Sequence, residues 1–188
     1  MSTARRQRSA PNAAILVVED DSKDTSLLKE AFAQAGIRIP IIFLRGGQEA
    51  IDYLSRQYPF EDRNANPSPA LMVMNLAMPG ISGLDVLGWM REGKQTSQIP
   101  VLVIGGIHCP TDISLAYALG ARLFLPKMDD VGQWARSLHR VAEMYGLTDD
   151  SPARAQPAQK KTGRRLSNEI GLKVRLDVST DPGDPGLA

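Results

Sequence analysis

The sequence has a single cysteine, Cys109, so no disulfide can form within the chain, which suits a reducing compartment. No apolar run approaches the length of a membrane-crossing helix. The arginines near the start are not followed by an apolar signal region. A cytoplasmic location and no membrane contact are therefore expected. Charge of either sign is barely in excess: 22 Lys+Arg stand against 21 Asp+Glu in 188 residues, so bulk attraction to nucleic acid or lipid is not indicated. The chain lacks a Ser-His-Asp set, a glycine loop of phosphate-cradling spacing and a complete metal-ligand cluster. No enzyme is expected. His108 and Cys109 are neighbours, but two lone ligands without others are read as incidental.

Where the charges sit is more informative than their sum. The start carries Arg5, Arg6 and Arg8 and no acid. Residues 14–145 hold 12 basic and 15 acidic residues, a net −3. After them come 7 basic residues, all between Pro152 and Leu176, where Glu169 is the only acid. The expected organisation is a disordered basic arm over residues 1–12, one domain over 13–146, and a mostly disordered basic tail over 147–188. Within the tail, Leu172, Val174, Leu176 and Val178 alternate with polar residues, a strand period that suits addition to a sheet edge. The run Lys160-Lys161-Thr162-Gly163-Arg164-Arg165 is either a solvated tail or a contact for nucleic acid or an acidic partner.

Between these ends, short apolar runs alternate with helical patterns about five times. Ala13 to Val18 reads as a buried strand, and Asp21 or Ser22 caps a helix reaching about Ala35. Ile39 to Leu44 is a second strand, followed by a helix with Ala50, Ile51 and Leu54 on its apolar face. Residues 58–69 form a polar loop, long enough to be functional or mobile. Leu71 to Asn75 is an unbroken apolar strand that stops at a short polar side chain, a Met-Pro-Gly turn and a helix opening at Gly83. Further strands are expected at Ile99–Ile104 and Arg122–Leu125, and helices at Asp112–Leu119 and from about Asp129 to Met144. Trp89, Met90, Trp134 and Met144 fit as packing residues. Unalternating strands joined by helices predict a parallel sheet covered on both faces. In such sheets a ligand crevice opens at the carboxyl ends of the strands.

Those ends carry Glu19, Asp20 and Asp21 after the first strand, Asn75 after the third, Gly105 after the fourth and Lys127 after the fifth. Two carboxylates and a lysine on one rim suit a hard cation and an anionic ligand. The acids also suit simple helix capping.

At this point four separate pieces, in chain order, resemble the receiver domain of two-component response regulators: Ile15 to Asp21, Met74 to Gly83, Ile99 to Val103, and Gly120-Ala121 with Pro126-Lys127. The resemblance covers residues 14–145, and the 58–69 loop looks like that of small stand-alone receivers that partner phytochrome-type histidine kinases. It implies an α/β, flavodoxin-like, doubly wound sheet of five parallel strands in order 2-1-3-4-5. It also implies phosphoryl transfer from a kinase histidine to an aspartate ending the third strand, beside magnesium held by the acidic pair. Glu19 and Asp20 match that pair, Lys127 the lysine that bonds the phosphoryl group, and Phe124 the aromatic switch position.

Two positions depart from the family. Asn75 stands where the acceptor aspartate belongs, and Gly105 where a Ser or Thr would bond the phosphoryl group. An amide is neutral and is no carboxylate nucleophile. Asn75 can offer magnesium only an uncharged oxygen, so a residual site of Glu19, Asp20 and Asn75 is expected to bind it weakly. The expectation is an atypical receiver, a pseudo-receiver, that signals by protein contact with a sensor histidine kinase or another signalling protein, without aspartyl phosphorylation. An alternative is a transcription-associated or nucleic-acid-binding regulator using the basic ends. A third is that Asp21 takes over as acceptor. In the structure, Asn75 is expected to hydrogen-bond Lys127, and Lys127 to pair with Asp20.

Overall fold

The computed structural model describes residues 13–106 and 110–148. Five strands alternate with five helices: β1 (Ala13–Val18), α1 (Ser22–Gln34), β2 (Ile41–Leu44), α2 (Gly47–Ser55), β3 (Ser68–Asn75), α3 (Gly83–Glu92), β4 (Val101–Gly105), α4 (Pro110–Ala118), β5 (Leu123–Pro126) and α5 (Val131–Met144). A 3-10 turn at Thr96–Gln98 precedes β4. All four pairings are parallel, and the strand order is 2-1-3-4-5. Receiver-type order and fold class therefore stand as expected.

The strands lack alternation because both of their faces are covered. Leu16, Val18, Met72, Met74, Val101 and Val103 pack with Tyr53, Val86, Leu87 and Met90 on one face. Ile15, Val17, Leu71, Val73, Leu102 and Ile104 pack with Leu28, Phe32, Trp134 and Leu138 on the other. Successive side chains of a strand point to opposite faces, so these two sets come from neighbouring positions on the same strands. Trp134 is buried and its indole N–H donates to Met128 O at 2.9 Å. Met144, expected to pack, is 69% exposed. It is the last residue of α5, past the turns that the sheet covers.

The register brings the strand ends to one level. Val18 pairs with both Leu44 and Met74, Asn75 with Ile104, and Gly105 with Pro126. The crevice rim is thus set by hydrogen-bonded strand pairing, not by loops.

The connection from α2 to β3 is pinned rather than loose. Tyr53, fully buried on α2, donates its hydroxyl to Pro67 O at 2.7 Å. The Phe60 ring packs on it at 5.1 Å, and the Arg63 guanidinium lies 5.8 Å from its ring centroid. β3 also begins earlier than expected, at Ser68, so the loop is shorter at that end. After α5, Leu147 O accepts from Arg38 N at 3.1 Å, and Thr148 bridges Ile37 in antiparallel fashion. Among the described residues, no helix is long and apolar enough to cross a membrane.

Candidate functional site

The rim is assembled around Glu19. Its backbone N–H still belongs to the sheet, donating to Leu44 O at 3.0 Å. Its side chain is fully buried. The next residue, Asp20, is exposed. Asp21 is the N-cap of α1 and accepts from the backbone N–H groups of Lys23 at 2.7 Å and Asp24 at 3.0 Å. Those bonds hold its carboxyl below the usual aspartate range. Asp21 is thereby engaged as a helix cap, which weighs against it as a substitute acceptor. Its own N–H donates to Glu19 Oε1 at 3.1 Å.

Asn75 ends β3 and is almost fully buried. Its side-chain Nδ2 donates to Glu19 Oε1 at 3.0 Å, to Asp20 Oδ1 at 3.2 Å and to Ala77 O at 3.1 Å. Its Oδ1 accepts from Ala77 N at 3.2 Å. This network defines which way the amide faces. The two carboxylates can only accept and the Ala77 N–H can only donate, so nitrogen must face the acids and oxygen the turn. The expected bond from Asn75 to Lys127 is absent. The amide already has partners nearer in the fold.

Lys127, just after β5, lies with its ammonium 3.1 Å from Glu19 Oε2 and hydrogen-bonds Asp24 Oδ2. The expected pair with Asp20 is not formed. Asp20 faces Asn75 and solvent, whereas Asp24 comes across from the first turn of α1. Asp24 does not end a strand, so strand order alone does not bring it to the rim. Its position in a helical first turn was the available signal. Burial raises the Glu19 carboxyl above its usual range, more than the Asp21 N–H and Lys127 lower it. Burial, the largest single influence on Lys127, lowers its ammonium, but the bonds and charges of Asp24 and Glu19 together outweigh it and raise the group. Both shifts are upward, which favours the neutral acid at Glu19, whose side chain is fully buried, and the charged ammonium at Lys127, whose side chain is 32% exposed.

Gly105 is buried at the end of β4 beside Phe124. A Cβ there would meet Phe124 Cε2 at 3.7 Å and Leu76 Cβ at 3.8 Å, ordinary contact distances. Glycine is therefore not sterically required at 105. Gly83 is different. A Cβ at the start of α3 would fall 2.4 Å from Asn75 O and 2.9 Å from Leu76 Cα. The close approach of α3 to the end of β3 depends on that hydrogen, and so does the placement of Asn75.

The rim is a poor fit for a divalent cation. Glu19 Oε2 is buried and already pairs with the Lys127 ammonium at 3.1 Å, so a metal would have to compete with that cation. Asn75 presents N–H, not oxygen, to both acids. Among the described residues, no three His, Cys, Asp or Glu side chains are grouped to hold a metal ion. His108, Cys109, the basic arm and tail, and the Leu172–Val178 stretch lie outside the described residues.

Comparison with known proteins agrees with this fold. The family model described as "Response regulator receiver domain" matches residues 15–137. The chain is 31% identical to response regulator Rcp1 of Synechocystis sp. over 145 residues, covering 77% of this chain and 97% of that one. It is similar to the crystal structure of the Mn(2+)-bound form of response regulator Rcp1, with a TM-score of 0.63 and 27% identity over 74% of this chain and 99% of that one. It also resembles the phosphorylated cyanobacterial phytochrome response regulator RcpA, with a TM-score of 0.63 and 25% identity over 70% of this chain and 92% of that one.

Proposed function

Because this chain belongs to the response regulator receiver family of two-component signalling, we propose that it is a non-enzymatic, atypical receiver that acts in a fixed state, by protein contact and without aspartyl phosphorylation. One observation carries the reading: the Asn75 amide nitrogen is bonded to both Glu19 and Asp20. In a working receiver the third strand would present a carboxylate there, and three like charges would need a cation between them. Here a neutral donor occupies the middle, so the acids are satisfied with no ion. The same amide offers no nucleophile to a phosphoryl donor.

The rest of the rim supports this. Gly105 has no side-chain hydroxyl with which to bond a phosphoryl oxygen. Magnesium affinity is expected to be weak, resting on Glu19 and Asp20 with little help from Asn75. The partner would be a sensor histidine kinase or another cytoplasmic signalling protein. Similarity to receivers named for phytochromes favours a phytochrome-type kinase. The docking face would be α4 and β5, where Leu115 and Tyr117 on α4 are 47% and 48% exposed.

The test is phosphoryl incorporation from acetyl phosphate with magnesium, read by intact-mass spectrometry on the native protein and on Asn75→Asp. The expected result is no adduct on the native protein and one on the variant. An adduct on the native protein would overturn the reading.

A further inference from the structure

We infer that Asp24 is a positioning residue for Lys127, holding its ammonium on the α1 side of Glu19 and away from position 75. The inference rests on the reading of the rim as closed, but it concerns a residue that reading does not need. Three observations on the two sides of the contact carry it.

The first is local. Asp24 is the third residue of α1, where an acidic side chain commonly turns back to the N-cap backbone N–H. That N–H, of Asp21, is already bonded to Glu19 Oε1 at 3.1 Å. The Asp24 carboxylate is therefore free of the capping role. The second is its long-range partner: Asp24 Oδ2 accepts directly from Lys127 Nζ across 103 residues of sequence. The third is what Lys127 does not touch. Its ammonium has Glu19 Oε2 at 3.1 Å, while all the hydrogen bonds of the Asn75 side chain go to Glu19, Asp20 and Ala77.

The arrangement follows from charge. Lys127 lies between two anions, Glu19 below it and Asp24 beside it, and a neutral amide at 75 exerts no comparable pull. The cation settles between its two acids. Because the Glu19 side chain is fully buried and bonded to Asn75 and the Asp21 N–H, Asp24 decides the side toward which Lys127 leans. A phosphoryl group at position 75 would have to draw Lys127 away from Asp24 before the lysine could bond its oxygens.

Two measurements test this. In native protein with isotope-labelled lysine, Asp24→Asn should move the Lys127 side-chain NH3 and Cε resonances and speed exchange of its protons with water, while Asp24→Glu should largely keep them. In the Asn75→Asp background, acetyl phosphate transfers its phosphoryl group as the new carboxylate oxygen bonds phosphorus and acetate leaves with the electron pair. Adding Asp24→Asn there should speed this step roughly two- to fivefold, the scale of a partly exposed ion pair. A purely structural role would lower the melting temperature without raising that rate. Unmoved Lys127 resonances in Asp24→Asn would overturn the inference, as would an unchanged rate in the double variant. An adduct on native protein would refute the phosphorylation-independent reading and leave the Asp24 result intact. If the Asn75→Asp variant takes no phosphoryl group, the resonance measurement decides alone.

Discussion

Replacing Asn75 by Asp reverses the electrostatics of the rim, and its stability consequences can be worked out from the distances. The native amide donates to Glu19 at 3.0 Å and to Asp20 at 3.2 Å. Hydrogen bonds to charged groups contribute about 1.5–3 kcal/mol each, with the bond to exposed Asp20 at the low end. The substitution removes both and adds a third carboxylate at contact distance. Two like charges about 4 Å apart repel by about 4 kcal/mol at an effective dielectric constant of about 20. These effects overlap, since Asp20 can swing into water and the new group can hold a proton. A net loss of about 3–5 kcal/mol in EDTA is expected, a large part of the roughly 5–15 kcal/mol that stabilises a domain. Magnesium should recover much of it. A ligand at about 100 times its dissociation constant adds about 2.7 kcal/mol to the folded state. Native protein, whose acids already accept hydrogen bonds from the amide, should gain less than about 0.5 kcal/mol from the same magnesium. The assay is urea unfolding of both proteins, with EDTA and with magnesium. An Asn75→Asp protein as stable as native in EDTA would refute the reasoning, and so would a native protein that magnesium stabilises strongly.

Other expectations address the support of the site. Burial raises the Tyr53 hydroxyl above its ordinary value of 10.0, more than Arg63 lowers it. A raised folded value means that the neutral phenol stabilises the fold below pH 10.0 and that this stability is lost as pH rises through the folded value. Tyr53→Phe should therefore lose about 1 kcal/mol at neutral pH, from the missing bond to Pro67, but show a flatter decline in alkaline solution. Equal declines in denaturant titrations of both proteins would contradict this. Gly83→Ala should destabilise by about 1–3 kcal/mol, because its Cβ meets backbone, not a side chain that can move aside. Amide shifts of Asn75 and Leu76 should move with it, and unchanged shifts would argue against the close approach. Gly105→Ser meets only ordinary contacts and should change stability by less than about 1 kcal/mol. With Asn75 still in place it should gain no phosphoryl adduct, and an adduct would show a second acceptor.

Much of this was readable from residue order. The unalternating strands required cover on both faces, and the alternation with helices required a parallel sheet. A parallel sheet puts Glu19, Asp20, Asn75, Gly105 and Lys127 on one rim, because each follows or ends its strand. The two departures, an amide at 75 and a glycine at 105, are matters of chemical identity and needed no coordinates. Boundaries were less legible. Ile39 and Pro40 are expected in a strand that begins at Ile41, and Ser68 and Pro69 in a loop, although both already belong to β3.

What only the tertiary structure decided is which donor meets which acceptor. Periodicity tells which face a side chain occupies, but not its rotamer or how far a neighbouring helix leans over it. Lys127 was expected to meet Asp20 and Asn75, its neighbours by strand order. It meets Glu19 and Asp24 because α1 carries Asp24 over the rim and because the Asn75 amide is already bonded to both acids and to the turn. The same holds for the loop before β3, polar in composition yet tied down by a tyrosine that periodicity alone did not single out. Backbone pattern is local and repeats along the chain, so one sequence suffices to read it. Side-chain partnerships between residues a hundred positions apart depend on the final packing of every element between them.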